Sequence, residues 1–467
     1  MKEWIENELT TCKLKDKRLE VRLSNILERF SDYPLASIPA SCRGWSETQA
    51  TYRLLNNERI EYNEIIQPHI EASKMRLSGE KVILMINDTT SLDYTGKKGA
   101  NDLGYIENKY KSGLFLHPTI AITPERLNLG LIDLQLWSRA NEDIGKKKLR
   151  KQLPFDQKES YNWFKSYESA DKIAQANPSI QIISIGDREN DIYEIFLEAS
   201  KQSSKADLLI RSCQDRKIAL SGLLWQEMEN SAIQTTIELH LPKTEKRLER
   251  DITMTIQYKR IVLQAPYRKN EKLENIKITA LLAREINPPV GIQAVEWMLI
   301  TTIRISNNEM AVKLLSYYSA RWEIEIYFKI LKSGCEIEKL QLESKDNISK
   351  AIAIYLIVTW RIQFLMMLSR VCPEIEAFRV FDQEEIEAIC IISDKKKVWD
   401  KPPTINEIVR LIAKEGGFLA RKSDKEPVAK EGGFLARKSD KEPGAMTIWK
   451  GLIKLDNYTT MYMKMKN

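Results

Sequence analysis

The sequence predicts an α/β fold with helical regions at both ends, and three patterns support that prediction. Two short apolar runs, 82–88 (VILMIND) and 180–187 (IQIISIGD), are typical of strands buried on both faces of a sheet. Between 213 and 300 apolar and polar residues alternate, as they do in half-exposed antiparallel strands. Apolar residues at helical spacing occupy 1–72 and return after about 376. We therefore expect a central sheet that carries a β-rich insertion between two helical regions.

The composition predicts a soluble protein of two or three domains. The chain has 467 residues, 43% of them hydrophobic, which is enough for sizeable cores. Its first residues include no apolar signal region, so a cytoplasmic location is expected. The apolar stretch AIAIYLIVTWRIQFLMML contains Arg361 and Gln363, which favours a core helix over a membrane span. The formal net charge of +7 is compatible with a nucleic-acid partner without requiring one.

Cysteine and histidine spacing argues against a zinc site and against a disulfide framework. The six cysteines are scattered and none forms a CxxC pair. The three histidines lie far apart and show no metal-ligand spacing. Any metal would therefore be held by oxygen ligands, which favours Mg²⁺ or Mn²⁺.

The helical N-terminal region shows a basic side. In the segment 17–30 (KRLEVRLSNILERF) the apolar residues share one face, while Arg18, Arg22 and Arg29 project elsewhere. Such a basic side suits DNA phosphates. A solvated basic face explains the same pattern about as well.

Each of the two apolar runs ends in an aspartate, Asp88 in the first and Asp187 in the second. Turn or helix-start residues follow each of them (TTSLDYTG and RENDIYEIF). Ligands of open α/β sheets gather at the carboxyl ends of the strands. One such aspartate is usually only a cap, but two of them suggest a site.

A third carboxylate belongs to the predicted helix 317–334 (YYSARWEIEIYFKILKSG). Its polar residues share a strip about 80° wide at 3.6 residues per turn; they are Tyr318, Arg321, Glu325, Lys329 and Lys332. Apolar residues flank the strip on both sides, which predicts that it lines a cleft. A solvated stripe of Glu–Lys pairs is the alternative. A single carboxylate among cations could hold a metal ion beside a bound polyanion.

The C-terminal region contains a perfect tandem duplication. The segment AKEGGFLARKSDKEP begins at 413 and again at 429, a period of 16 residues. Two copies are too few for a solenoid. Because glycine pairs and charges make such a segment tolerant of insertion, we expect one copy to form an extra loop.

Asp88, Asp187 and Glu325 come from three separate elements and could together bind two divalent ions for phosphodiester chemistry. The motifs NDTTSLDYTG, GDRENDIYEIF and YYSARWEIEIYFKILKSG resemble those of the insertion-sequence-four family of bacterial DDE transposases. The third motif has the family's spacing of Tyr318, Arg321, Glu325 and Lys332. The resemblance extends over almost the whole chain.

The resemblance implies an RNase H-like catalytic core, a mixed sheet with helices, interrupted by the β-rich insertion. It implies a helical domain at 1–72 that binds the transposon end, a catalytic domain at 73–375 with the insertion at about 213–300, and a helical dimerisation domain at 376–467. The duplication, 413–428 and 429–444, lies in the last of these domains and is absent from the family pattern.

The implied activity is cut-and-paste transposition by strand nicking, hairpin formation, hairpin resolution and strand transfer. The implied cofactor is Mg²⁺, with Mn²⁺ as a substitute. The implied partners are double-stranded DNA, as terminal inverted repeats and target DNA, and a second copy of the chain in a paired-end complex. The protein would then be cytoplasmic and associated with the bacterial nucleoid.

The resemblance also assigns roles to residues. Asp88, Asp187 and Glu325 would be catalytic and bind the metal. The residues that would contact DNA are Arg18, Arg22, Arg211, Trp297, Tyr318, Arg321, Lys329 and Lys332. Trp297 would support a base pulled out of the stack during hairpin formation, unless it is simply a core aromatic residue.

Two other functions stay open at this point. The chain could be a catalytically idle or dominant-negative DNA-binding remnant that dimerises poorly, which the altered C-terminal region favours. It could also be a nuclease that never joins strands, which the four-residue signature and Trp297 disfavour.

Overall fold

The structure is a computed structural model. It describes residues 2–97, 102–140, 153–219, 222–241, 249–268, 272–393, 401–419 and 442–466. The N-terminal region is helical, as expected, up to Arg76. Its helices are α1 (Glu3–Leu9), α2 (Lys17–Asp32), α3 (Ile38–Ser41), α4 (Trp45–Leu55) and α5 (Tyr62–Arg76).

Seven strands follow and form the centre of a large sheet. They are β1 (Val82–Asn87), β2 (Thr90–Asp93), β3 (Gly104–Tyr105), β4 (Ser112–Ile122), β5 (Asn128–Trp137), β6 (Gln181–Gly186) and β7 (Asp207–Arg211). The central order is β5-β4-β1-β6-β7. The β1–β4 and β4–β5 pairs are antiparallel, whereas β6 runs parallel to both β1 and β7. This is the order of an RNase H-like core, so the predicted fold class is confirmed.

Helices cover both faces of this sheet, which explains the unbroken apolar runs. Alternate residues of β1 enter opposite cores: Leu84 joins one and Met85 the other. The helix α6 (Tyr161–Ala176) packs in the core that contains Met85, and α5 packs in the core that contains Leu84. A further short helix, α7 (Tyr193–Ala199), follows β6.

The residues after Asp88 were expected to form a turn or the start of a helix, but they form the strand β2. Leu84 pairs with Ile122 and Thr90 pairs with Leu116, so β2 continues β1 along β4 in the same register. That register places Asp88 opposite Pro118, which has no N–H to donate to the ladder. The strand is therefore interrupted at Asp88 and then resumes.

The insertion is β-rich, as expected, but it extends the core sheet and does not form a sheet of its own. Its elements are β8 (Lys217–Ile218), β9 (Gly222–Leu223), α8 (Leu224–Glu229), β10 (Thr235–Leu241), β11 (Arg250–Leu263), β12 (Ile276–Glu285) and β13 (Glu296–Thr301). Strand β13 pairs antiparallel with β7, where Leu299 lies opposite Arg211. One continuous sheet thus runs from the core into the insertion.

The predicted helix at 317–334 is longer and less regular than expected. Helix α9 (Asn308–Ser319) is followed by a 3₁₀ turn, Ala320–Trp322, and then by α10 (Glu323–Lys329). A π-helical turn, Ile330–Gly334, ends it. Because 3₁₀ and π turns change the angle per residue, the predicted polar strip is not one straight line of side chains.

The long apolar helix α11 (Lys345–Val371) is the central helix of the protein. It is long and apolar enough to cross a membrane, yet 94% of its most apolar 18-residue stretch is buried inside the protein. Tyr355 stacks on Phe30 of α2 with ring centroids 4.6 Å apart. The Trp360 indole N–H donates to the Asn128 carbonyl at the start of β5. This helix therefore joins the N-terminal helices to the sheet.

After α11 the described residues form three α-helices, α12 (Gln383–Ile392), α13 (Ile405–Glu415) and α14 (Ala445–Lys466). Most of the duplication, 420–441, lies outside the described residues. The start of its first copy ends α13, where Gly416 packs against α14. A Cβ on Gly416 would lie 1.8 Å from the Thr447 carbonyl oxygen. That part of the first copy therefore belongs to the packed core of this region.

Candidate active site

Asp88 and Asp187 stand side by side at the ends of two parallel strands. Val82 pairs with Gln181 and Ile86 pairs with Ile185. Continuing this register places Asp88 beside Asp187, about 4.8 Å away in the direction of the strand hydrogen bonds. The two predicted strand-end carboxylates are therefore neighbours.

A close contact between the two strand ends holds them together. The Asn190 side-chain amide donates a 2.7 Å hydrogen bond to Asn87 Oδ1. Asn190 packs directly on Gly186, where an added Cβ would lie 2.1 Å from its amide nitrogen. Only glycine leaves room for this contact at 186. Sequence reasoning missed these residues, although Gly186 and Asn190 flank Asp187 in its own motif.

Backbone amides orient both aspartates. The Thr89 amide donates to Asp88 Oδ1 at 2.8 Å, and the Glu189 amide donates to Asp187 Oδ1 at 2.7 Å. His117 supports the first of these turns, because its Nδ1 lies 2.8 Å from Thr89 Oγ1. Burial lowers the pKa of His117 to about 3, so the imidazole is neutral. His117 was also missed, since its position on β4 gives no local signal next to Asp88.

Arg321 connects the third carboxylate to the first. Its Nη1 donates to Asp88 Oδ2 at 2.7 Å and its Nη2 donates to Glu325 Oε1 at 2.8 Å. The Arg321 side chain is only 8% exposed, so water screens these charge-assisted hydrogen bonds only weakly. The structure thus brings Asp88, Asp187 and Glu325 together, with Arg321 between two of them.

The site has the electrostatics of three crowded carboxylates. Burial raises the pKa of Asp88 to about 7, and the negative charges of Asp187 and Glu325 act in the same direction. Arg321 and the Thr89 amide oppose this rise. A divalent cation would relieve the same repulsion, and carboxylate oxygens are the ligands that Mg²⁺ prefers. The donor set therefore fits a hard divalent cation.

Arg321 lies between two of the carboxylates that such a cation would bind. Among the described residues, no three His, Cys, Asp or Glu side chains form a ready metal-ligand cluster. The guanidinium holds the Asp88 and Glu325 carboxylates on either side of itself. A cation that binds both carboxylates would share their oxygens with Arg321 or displace it from one of them.

Tyr318 and Arg211 form a second layer around Arg321. Tyr318 is 2% exposed, and its hydroxyl interacts with both Arg321 and Arg211. Arg211 also donates to the Glu296 carbonyl at 3.0 Å. Burial and the nearby charges of Arg188 and Arg321 lower the pKa of Arg211, with Tyr318 acting in the opposite direction. Positive charge therefore surrounds the carboxylates on this side.

The two lysines of the predicted strip lie farther out. Lys332 donates to the Ser91 carbonyl at 2.6 Å and lies 3.9 Å from Glu338 Oε1. Lys329 is half-buried on the last turn of α10. The strip predicted from the sequence is thus divided into buried members, Tyr318 and Arg321, and partly exposed lysines.

Trp297 is a buried residue beside a cavity. It is 5% exposed, and its ring meets the edge of Tyr318 with centroids 5.2 Å apart. The cavity has a volume of about 320 Å³, and Ile237, Leu239 and Met254 line it together with Trp297. The Trp297 side chain is therefore packed like a core aromatic residue, and it also lines the apolar cavity.

The basic side of α2 is smaller than predicted. The Arg18 side chain is 88% exposed and pairs with Asp16 at 2.8 Å, and Arg22 is half-exposed. Both line a shallow groove with Asn25 and Thr51. Arg29, predicted on the same side, is buried and pairs with Asp32 and Glu47. Its burial arises because α4 packs against α2. Arg18 and Arg22 share no helix or strand with the three carboxylates.

Three family models match consecutive parts of the chain. The model described as transposase DNA-binding matches residues 1–60, and the transposase DDE domain matches 102–361. The transposase Tn5 dimerisation domain matches 357–431. The DDE match contains Asp187 and Glu325 but begins after Asp88. Together the three models cover residues 1–60 and 102–431, and the DDE model alone covers more than half of the chain.

The solved structures that are similar to this chain include the cryo-EM structure of the piggyBac transposase synaptic complex with hairpin DNA. The similarity covers 79% of this chain and 72% of that one, with a TM-score of 0.39 and 9% sequence identity.

Proposed function

This chain belongs to the DDE transposases, and we propose that it performs cut-and-paste transposition by nicking, hairpin formation, hairpin resolution and strand transfer. One observation carries the proposal. Asp88 and Asp187 each follow directly after one of two neighbouring parallel strands, and Arg321 joins Asp88 to Glu325. Three carboxylates from distant parts of the chain lie close enough to act on one another electrostatically, and metal-assisted phosphodiester chemistry uses such a set.

DDE domains use divalent metal ions, and we propose Mg²⁺ here, with Mn²⁺ as a substitute. Asp88, Asp187 and Glu325 would be the ligands. When bound, two such ions activate the attacking oxygen and stabilise the leaving oxygen of an in-line displacement. The backbone amides of Thr89 and Glu189 fix the orientation of the two aspartates before any ion binds.

The cations around the carboxylates would bind the DNA backbone. Arg321, once released from Asp88 or Glu325, has a planar fork that suits a phosphate. Lys329 and Lys332 would hold the strand at the rim, and Arg211 would add positive charge from the side of the insertion. Phosphate contacts of this kind position a strand without reading its sequence.

Hairpin formation needs a base to leave the stack, which costs a few kcal/mol. The apolar cavity beside Trp297 offers a place where an extruded base would be shielded from water. We propose that Trp297 supports this base from within the cavity. Tyr318, which contacts both Trp297 and Arg321, would then connect the base site to the carboxylates.

The end-binding surface would be the N-terminal domain, with Arg18 and Arg22 contacting the transposon end. The C-terminal domain would join two chains in a paired-end complex. Both assignments follow the family models that match these regions. Terminal inverted repeats and target DNA are the proposed substrates.

The decisive experiment compares two glutamates of the same helical segment. Glu325→Gln should lower Mg²⁺-dependent cleavage by more than ~100-fold, because losing a metal ligand should cost more than losing a residue that only orients a ligand. Glu309→Gln, an exposed change at the start of α9, is the matched control. The substrate is DNA with the terminal repeats that flank the gene, and denaturing gels separate nicks from hairpins. Unchanged cleavage by Glu325→Gln would refute the proposed site.

A second function is favoured by the duplication, which begins inside the region matched by the dimerisation model. Here the chain would bind the transposon end but not pair two ends, and so act as an idle or dominant-negative copy. In the same experiment the unaltered protein would then shift the DNA on a native gel as a single-end complex without producing hairpins.

A further inference from the structure

Arg126 has a strained backbone at the tip of the β4–β5 hairpin. Its φ is 76°, in the left-handed region that glycine adopts without strain and arginine avoids. The turn is closed by Thr123 and Leu127, whose amide and carbonyl pair at 3.0 Å, and the Arg126 amide donates to the Thr123 carbonyl. Strain of this kind persists where surrounding contacts demand it, and it is a reason to look for a function.

The Arg126 side chain reaches across to the helix that carries Glu325. Its Nη2 donates a 2.8 Å hydrogen bond to Ser319 Oγ, and its Nη1 lies 3.6 Å from Glu323 Oε1. Ser319 is the last residue of α9 and Glu323 is the first of α10. One guanidinium therefore spans the 3₁₀ turn Ala320–Trp322 from end to end.

Glu323, which faces the Arg126 guanidinium, is itself fixed in the core. Glu323 is 3% exposed, and Gln363 of α11 donates to its backbone carbonyl at 2.9 Å. Asn128, two residues after Arg126, donates to Gln363 Oε1 at 2.8 Å. The hairpin, the central helix and the start of α10 are thus linked by one buried network, which leaves little freedom to the turn between them.

The turn determines where two residues of the site point. Arg321 lies within it, and Glu325 follows Glu323 by two residues on α10. If the turn shifts, the Arg321 contacts to Asp88 and Glu325 must shift with it, and a displacement near 1 Å is enough to lower catalysis strongly. We propose that Arg126 is a positioning residue that fixes the 3₁₀ turn and thereby aims Arg321 and Glu325 at Asp88. Its catalytic consequence rests on the proposed function.

The alternative is that Arg126 only stabilises the hairpin. The two roles predict different results for Arg126→Gly. Glycine relieves the backbone strain but removes the guanidinium that faces buried Glu323. A purely stabilising role predicts a lower melting temperature with a uniform rise in hydrogen exchange, whereas a positioning role predicts a rise in exchange concentrated in the 3₁₀ turn.

The experiment measures Arg126→Gly, Arg126→Lys and a matched control. Asn287→Gly is that control, because Asn287 also has a positive φ, 53°, but lies in the loop after β12. Hydrogen–deuterium exchange should rise by ~10-fold or more in peptides covering 317–330 of Arg126→Gly, since local opening becomes easier. Arg126→Lys should recover part of the protection from exchange. Its ammonium can reach Glu323, but it has no second nitrogen that could donate to Ser319 at the same time.

Cleavage of end DNA under single-turnover conditions should fall by ~10- to 100-fold in Arg126→Gly, the range typical of supporting residues, while end binding stays within about twofold. Asn287→Gly should match the unaltered protein in every measurement. Unchanged exchange at 317–330, or a loss of thermal stability with a uniform rise in exchange, would overturn the proposal. If the unaltered protein does not cleave DNA, the proposed function fails but the exchange measurement still decides the role of Arg126.

Discussion

Arg321 donates a 2.7 Å hydrogen bond to Asp88, and this contact places a guanidinium directly beside one of the three proposed metal ligands. The pair links the end of β1 to the turn before α10. It neutralises part of the carboxylate charge. The contact therefore sets up a competition between Arg321 and a divalent ion.

Removing Arg321 should make the site bind divalent ions more tightly and cleave more slowly. In Arg321→Ala the carboxylates lose their counter-charge, so the Mn²⁺ concentration for half-maximal thermal stabilisation should fall roughly tenfold, about 1.4 kcal/mol. Cleavage should fall because the guanidinium also binds phosphate. The double variant with Asp88→Asn should lose the gain in Mn²⁺ affinity. An identical Mn²⁺ midpoint for Arg321→Ala and the unaltered protein would contradict the competition.

Substitution of Trp297 should separate hairpin formation from nicking. Trp297 is buried, and alanine would remove roughly 3–5 kcal/mol of packing, so phenylalanine is the better variant. Trp297→Phe keeps an aromatic side chain but covers less of an extruded base. We expect slower hairpin formation with nicking within about twofold. Equal slowing of both steps on denaturing gels would assign Trp297 to packing alone.

The exposed arginines of α2 should contribute to DNA affinity through phosphates. Arg18→Ala with Arg22→Ala should weaken binding and reduce the salt slope of log K by about 1.8, near 0.9 for each lost phosphate contact. Lys277→Ala, an exposed lysine on β12, is the control for net charge. Fluorescence anisotropy at several salt concentrations measures the slope. An equal loss in both variants would show a non-specific charge effect.

His69 should make stability depend on pH in a defined window. The imidazole is fully buried; its Nδ1 lies 2.6 Å from Glu8 Oε2, and its Nε2 accepts the Leu131 amide. Burial lowers the pKa of His69 below its ordinary value, with Glu8 opposing this. The unfolded chain then binds a proton near pH 6.5 that the folded chain does not, so stability falls as pH drops below about 6.5.

The variant His69→Gln should flatten this dependence, because it removes the titrating group but keeps an acceptor for Leu131. The expected difference is at most about 1.4 kcal/mol per pH unit, one proton, in urea unfolding between pH 5 and 7.5. His240→Gln is the control, since His240 is partly exposed and pairs with Asp251. A pH dependence that persists unchanged in His69→Gln would rule out His69 as the cause.

Deleting 429–444 should preserve folding and preserve or improve dimerisation. The deletion removes Glu442, which pairs with Arg410 of α13, and Pro443, whose carbonyl accepts from Arg370. Glu426 and Pro427 of the first copy then take the same places before Ala445. Analytical ultracentrifugation with two end duplexes per complex reports the assembly. Loss of the folded state would show that both copies are structural.

The local patterns identified the candidate carboxylates because strand ends and helical spacing are short-range features. An apolar run that stops at an aspartate, or a strip of polar residues at steps of three and four, is visible without knowing the fold. For the same reason the sequence misjudged Arg29 and the regularity of 317–334. Arg29 is buried because α4 packs against it, and the 3₁₀ and π turns form in a helix that is packed on other elements. Local periodicity contains no information about such packing.

The sequence by itself predicted three candidate carboxylates, Asp88, Asp187 and Glu325, and an α/β core with a β-rich insertion that carries them. Only the tertiary structure decided how they meet. The shared register of β1 and β6, the Asn87–Asn190 contact, and the placement of Arg321 all join residues far apart in the chain. Such contacts leave no periodic trace, because they arise from packing between elements and not from the conformation of any one of them.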